Sequence, residues 1–105
     1  MRYMLLIYQD DPAWAGLPPE LAGSGECLGG AALAPPAAIR TVRVRGGAAV
    51  VTDGPLRAAT ALLAGYVLVE CETPERAVEI AARWPRARYR ALEVRPLMHD
   101  SAEEY

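Results

Sequence analysis

Asp53, Glu93 and His99 are the side chains of this sequence best suited to proton transfer. Arg43 and Arg95 are the ones placed to hold an anion. Asp53 closes a β-branched run and is followed by Gly54-Pro55. In one reading it is turn chemistry: its carboxylate caps nearby backbone N–H groups while Gly and Pro set the bend. In the other it is a general base at a pocket mouth, which requires burial to raise its pKa. His99 is the one histidine of the chain and titrates near neutrality without perturbation. Next to Asp100 it is either an exposed tail residue or an acid–base group oriented by a carboxylate, if the tail folds back or crosses to another subunit. Glu93 and Arg95 share one face of a strand-like run, and Arg43 and Arg45 share one face of another. If those faces coincide, they make a polar patch for a carboxylate ligand. Otherwise they make a cross-strand ion-pair ladder, worth a few tenths to about 1 kcal/mol per pair. Tyr3, Tyr8, Tyr66 and Trp84 read as core residues, although a hydroxyl such as that of Tyr8 or Tyr66 is able to line a pocket.

Other chemistries are poorly supplied. Two cysteines and one histidine do not make a conventional zinc site, and no metal or cofactor is expected. Cys27 and Cys71 have no histidine beside them in sequence. They read as small buried hydrophobes rather than nucleophiles, and as unbridged thiols of a reducing, cytoplasmic compartment. Gly29-Gly30 and Gly46-Gly47 lack the spacing and the lysine of phosphate loops. The net charge is -2 with no basic stripe, which argues against a nucleic-acid partner. No apolar run reaches the roughly 18 residues of a membrane span, and residues 1–8 lack the small-residue cleavage site of a signal peptide. The chain has no Lys, Asn or Phe and is rich in Arg and Ala. That bias fits a GC-rich genome, so arginine abundance by itself is not a functional signal.

The 105 residues suit one domain with a modest core: residues 1–98, followed by a polar tail at 99–105. Arg2 to Tyr8 alternates Tyr3, Leu5, Ile7 against Met4, Leu6, Tyr8. Both sets are apolar, as in a central strand covered on both faces. Helical turns are expected near Pro12–Ala15 and from Pro18 to Ala22. Residues 23–38, rich in Gly, Ala and Pro, read as a loop or a brief edge strand with bends at its glycines. Thr41–Arg45 and Ala48–Thr52 flank Gly46-Gly47, a strong hairpin signal. Arg57–Leu63 reads as a helical turn or irregular crossover, and Gly65–Cys71 as a strand. Thr73-Pro74-Glu75 starts a helix whose Ala77, Ile80, Ala81 and Trp84 form one apolar stripe, ended by Pro85. Tyr89–Leu97 is the last strand, with Leu92 and Val94 inward. This order gives an α+β domain with helices on one face of a mainly antiparallel sheet. One full helix cannot cover both apolar faces of the first strand, so a second copy of the chain is expected on the other, as a homodimer.

The combination of MRYMLLIYQDD with Trp14, Pro18-Pro19-Glu20, GGAAL at 29–33 with Pro35-Pro36, TVRV at 41–44, VTDGP at 51–55, GYVLVE at 65–70, Trp84-Pro85 and LEVRPLM at 92–98 resembles the YCII-related family, in its DGPF branch, almost end to end. The resemblance implies a bacterial protein with a ferredoxin-like fold that dimerises through its sheets into a barrel-like assembly. Some relatives are linked to dehalogenation or isomerisation of small lactones, and others sit beside sigma-factor genes. Two departures stand out. Leu56 replaces the Phe of the DGPF motif, and the family's long first helix is shortened to almost nothing between Glu20 and Gly23. The family's His–Asp pair is not reproduced either, since His99 lies at the C-terminal end.

These readings lead to a small enzyme without cofactor or metal, acting as an isomerase, lyase or cyclase on a compact aromatic or lactone-like acid. Asp53, Glu93 and His99 are its acid–base candidates, and Arg95, Arg43, Tyr8 and Tyr66 its substrate contacts. The competing reading is a non-catalytic dimer that binds a small ligand or serves as a regulatory interaction module. One expectation follows directly from cysteine usage. Denaturation without reductant exposes both cysteines of each chain to a thiol reagent as free thiols; recovery of none shows a bridge.

Overall fold

The computed structural model describes residues 1–8, 23–83 and 91–98. β1 (Arg2–Tyr8) lies between β5 (Leu63–Glu70) and β6 (Ala91–Pro96), and β2 (Cys27–Ala32) closes the other side of β5. The sheet order is β2-β5-β1-β6, and every neighbouring pair is antiparallel. Ladder bonds continue past the strand ends, from Cys71 N to Met1 O and from Leu97 N to Arg2 O. This is an α+β domain with the antiparallel strand arrangement of a ferredoxin-like sheet.

Alternation along β1 sets the core. Tyr3, Leu5 and Ile7 are fully buried, and their partners across the sheet are Val69, Val67 and Gly65 on β5 and Pro96, Val94 and Leu92 on β6. α1 (Pro74–Ala82) packs on this face through Ala77 and Ile80. Its start follows the sequence: Thr73 Oγ1 accepts from Arg76 N at 3.1 Å, Pro74 occupies the first turn, and Glu75 complements the positive helix end. Trp84 and Pro85 lie outside the described residues. So do the turns expected at Pro12–Ala15 and Pro18–Ala22, and the tail from His99. Ala58–Leu62, expected as a helical turn or irregular crossover, forms a 3-10 turn leading into β5.

The glycine-rich segment is an edge strand. The β2–β5 register shifts between Cys27 and Gly29, a bulge at the expected glycine bend. At Gly30 an added Cβ would collide with the carbonyl oxygen of Tyr66 and lie 3.0 Å from Val67 Cα. A side chain at that point would drive β2 off β5.

The hairpin forms as expected, with β3 (Arg40–Arg45) paired to β4 (Ala48–Asp53). Gly46 and Gly47, at φ 58° and 80°, supply the two positive φ angles of the tight turn. The ribbon is a sheet of its own, not hydrogen-bonded into the four-stranded sheet. Arg43 and Arg45 therefore form no ladder with Glu93 and Arg95.

The opposite face of the main sheet carries Met4, Leu6, Tyr8, Tyr66 and Leu68, all half-buried. No described helix lies on it. Among the described residues no helix is long and apolar enough to cross a membrane. Gly30→Ala is expected to destabilise the domain by about 1–3 kcal/mol, as overpacking against backbone does. Gly23→Ala, with open space and ordinary φ at that site, leaves the urea midpoint within error. Equal midpoints for the two variants would show that β2 yields at Gly30.

Candidate active site on the open sheet face

Register places the candidate side chains in rows across the open face. One row runs Glu93–Leu6–Tyr66–Ala31, the next Arg95–Met4–Leu68–Gly29. Tyr8 lies opposite Ala91, one row further along. Its ring leans diagonally so that the hydroxyl donates to Glu93 Oε1 at 2.7 Å. A short bond of this kind to a carboxylate is charge-assisted. It holds the phenol protonated: the bond to Glu93 raises the Tyr8 pKa most, followed by burial and the Glu93 charge, with Arg95 opposing. The apolar floor of Leu6 and Met4 lies between this polar edge and the small residues of β2. The arrangement offers a carboxylate, a phenolic hydrogen-bond donor and a guanidinium for an anion, with Tyr66 in the same row on the far side of Leu6.

The remaining sequence candidates fall elsewhere. Asp53 sits at the base of the ribbon with 86% of its side chain exposed, in an ion pair with Arg40 Nη1 at 2.9 Å. It is not enclosed in a pocket. The bend beside it rests on Gly54, at φ 96°, whose N–H donates to Ile39 O at 2.8 Å. Arg43 lies on the exposed ribbon, which is not hydrogen-bonded into the sheet that carries Glu93. His99 is outside the described residues. Cys27 is half-buried and Cys71 buried; both are free thiols, and burial pushes both pKa values up. Neither has the lowered pKa of a nucleophile. Among the described residues no group of three or more His, Cys, Asp or Glu is placed to hold a metal ion.

Comparison of the whole chain with known families gives a match to the YCII-related domain over residues 1–99. The chain belongs to the YCII-related family. A search of curated proteins finds no match.

A second polar cluster of this YCII-related domain was not visible in the sequence. Arg76 on α1 binds Glu26 in two-pronged fashion, Nε to Oε2 at 2.9 Å and Nη2 to Oε1 at 2.6 Å, and reaches Glu79 Oε2 with Nη1 at 2.9 Å. Arg76–Glu79 is legible as an i,i+3 pair. Glu26, 50 residues away, has no local signal at all. The cluster borders a cleft of about 500 Å³ lined by Glu26, Glu70, Cys71, Glu72, Thr73 and Arg76. Three carboxylates and one arginine line it; that arginine is engaged, and Glu70 also binds Arg2 Nε at 2.9 Å. The arrangement fastens the segment before β2 to α1 and offers little to an anionic substrate.

Hydrogen bonding from Arg76 holds the Glu26 carboxyl below the usual glutamate value of 4.5, with burial opposing. The folded-state pKa is therefore depressed, so the stabilisation is present above the unfolded value and is lost as pH falls through the folded one. Glu26→Gln is expected to lower the urea midpoint at about pH 7, with the gap to wild type closing as pH falls through the depressed folded-state pKa. A gap that stays constant with pH would show that the charge of Glu26 contributes nothing.

Proposed function

We propose that this YCII-related protein is a small acid–base catalyst, independent of metal and cofactor, acting on a compact aromatic or lactone-like acid at the open sheet face. The Tyr8–Glu93 hydrogen bond beside Arg95 carries this reading. Arg95 holds the substrate carboxylate. Glu93 takes a proton from the carbon next to a carbonyl, and the Tyr8 hydroxyl turns from Glu93 to the oxygen where charge develops. The proton held on Glu93 then returns at another carbon in an isomerisation, or to a departing oxygen in an elimination. Tyr66 forms one wall of the site. Asp53 and Arg43, on the ribbon, and His99, in the tail, reach this chemistry only if the assembly brings them to it.

The reading includes a homodimer. Met4, Leu6 and Leu68 are apolar and half-buried on a face with no described helix, so a second sheet stacked there would remove them from water and enclose the ligand between two copies. Such stacking would make the barrel-like assembly that the family resemblance implies. The Asp53-Gly54-Pro55 turn is the part of the DGPF motif that favours that branch, Leu56 departing from it, and the free thiols fit a reducing cytoplasm.

A test that needs no prior substrate is proton exchange into D₂O, followed by proton NMR for a panel of γ-lactone and arylacetic acids. Exchange at the carbon next to the carbonyl is expected for at least one compound. Glu93→Gln should slow it by about 10²- to 10⁴-fold, the usual contribution of one positioned acid or base, without shifting the melting temperature. Arg95→Ala should weaken binding of the same compound. Exchange unaffected by Glu93→Gln would refute the catalytic assignment. Saturable binding with no exchange across the panel would instead identify a ligand-binding module.

A further inference from the structure

The bulge in β2 extends one row of the open sheet face. Between Cys27 and Gly29 the register shifts, so that two residues, Leu28 and Gly29, stand against the single residue Leu68. The row then runs Arg95, Met4, Leu68, Leu28 across β6, β1, β5 and β2. Met4 and Leu68 are half-buried, and Leu28 at the far end is 47% exposed. On one flank the Arg2–Glu70 ion pair, at 2.9 Å, borders the row. On the other flank stand Leu6 and Tyr66. Arg95, at the head of the row, forms no ion pair among the described residues, and its charge acts on the Tyr8 hydroxyl. An apolar strip rimmed by polar groups marks a contact surface. The guanidinium without a counter-ion at one end specifies what kind of contact: an anion that continues as hydrocarbon.

We infer that the acid bound at this site carries an apolar arm, which lies along Met4 and Leu68 and ends against Leu28. The inference rests on the acid–base reading proposed above and names the substrate class more closely: the compact acid is the head of a longer molecule. From β1 to β2 the row crosses two strand spacings, ~10 Å, the reach of an extended chain of about eight carbons. With its carboxylate on Arg95 and its reacting carbon near Glu93, the head occupies the β6 edge. The only direction in which hydrocarbon then meets apolar side chains is along the row toward β2. The neighbouring row offers less, because it ends on Ala31. A second copy stacked on the face without ligand would bury the Arg95 charge with no partner, which is costly. An amphipathic acid matches the guanidinium and covers Met4, Leu68 and Leu28 together. Leu28 is thereby a specificity-determining residue, placed there by the bulge.

The experiment uses the full chain and γ-lactone carboxylic acids bearing straight alkyl arms of one, four or eight carbons. Affinity is read by isothermal titration, and exchange beside the lactone carbonyl by proton NMR in D₂O. The wild type is expected to bind the eight-carbon compound on the order of 30- to 100-fold more tightly than the one-carbon compound, as methylenes covered on one side contribute. Leu28→Ser should reduce that ratio by about fivefold, and Leu28→Met should restore it. Leu68→Ala reads the same ratio from the middle of the row if Leu28→Ser fails to fold by circular dichroism. Equal affinities for the three compounds, with exchange that still depends on Glu93, overturn the arm and leave the acid–base site standing. A ratio that neither Leu28→Ser nor Leu68→Ala changes places the arm elsewhere and overturns the assignment of this row. Equal affinities together with a dimer that Leu68→Arg dissociates in sedimentation velocity give the row to a second copy of the chain, and the arm is overturned. Length-dependent binding that Leu28→Ser weakens, without exchange, supports the arm and refutes catalysis. Absence of saturable binding by all three compounds overturns the arm and the reading beneath it.

Discussion

The two-residue period of β1 governs the rest of the molecule. With Tyr3, Leu5 and Ile7 committed to the helix side, Met4, Leu6 and Tyr8 must face the other way. The neighbouring strands inherit this parity through their registers, so that Val69, Val67 and Gly65 fall inward and Leu68 and Tyr66 outward. A slip of one residue would carry every buried side chain to the wrong face. It would also remove Tyr8 from Glu93, because the 2.7 Å bond exists only while Leu6 and Glu93 are paired. Core and candidate site thus depend on one register.

The edge of the sheet beyond β5 is held by different means. β2 contributes few apolar side chains, and Gly30 allows its backbone to approach Tyr66 and Val67 of β5 closely. The forked contact of Arg76 with Glu26 joins the approach to this strand to the helix on the buried face. Backbone proximity and one charged clamp replace the hydrophobic contact that holds β1, β5 and β6 together. That division matches the composition of the segment, where glycine and alanine leave little apolar surface to bury.

Much of this was legible in the sequence because it is local. Alternation in Arg2–Tyr8, the Gly46-Gly47 turn and the Thr73-Pro74-Glu75 start each encode their element within a few residues. The even and odd faces of β1 and β5 were readable for the same reason. Which faces meet was not, since the link depends on strand order. Arg43 and Arg45 share a face just as Glu93 and Arg95 do, yet β3 and β4 form a sheet of their own and the two pairs share no ladder. Asp53 was read as a turn cap or a buried base, and its partner is Arg40 across the ribbon, a contact created by hairpin register. Tyr8 was recognised as a residue able to line a pocket. Its bond to Glu93 joins positions 85 residues apart and becomes apparent only when β6 is laid beside β1.

The two outer strands of the main sheet bear on edge-to-edge pairing between chains. An exposed strand edge is a template for indefinite pairing with other chains, and edge-to-edge growth is the first step toward fibrils. On β2 the register shift between Cys27 and Gly29 interrupts the regular spacing of N–H and C=O groups that an incoming strand would need. On β6, Pro96 closes the strand with a residue that has no N–H to donate. Both margins of the sheet are thereby poor places to nucleate aggregation, even though the faces of the molecule are rich in apolar side chains.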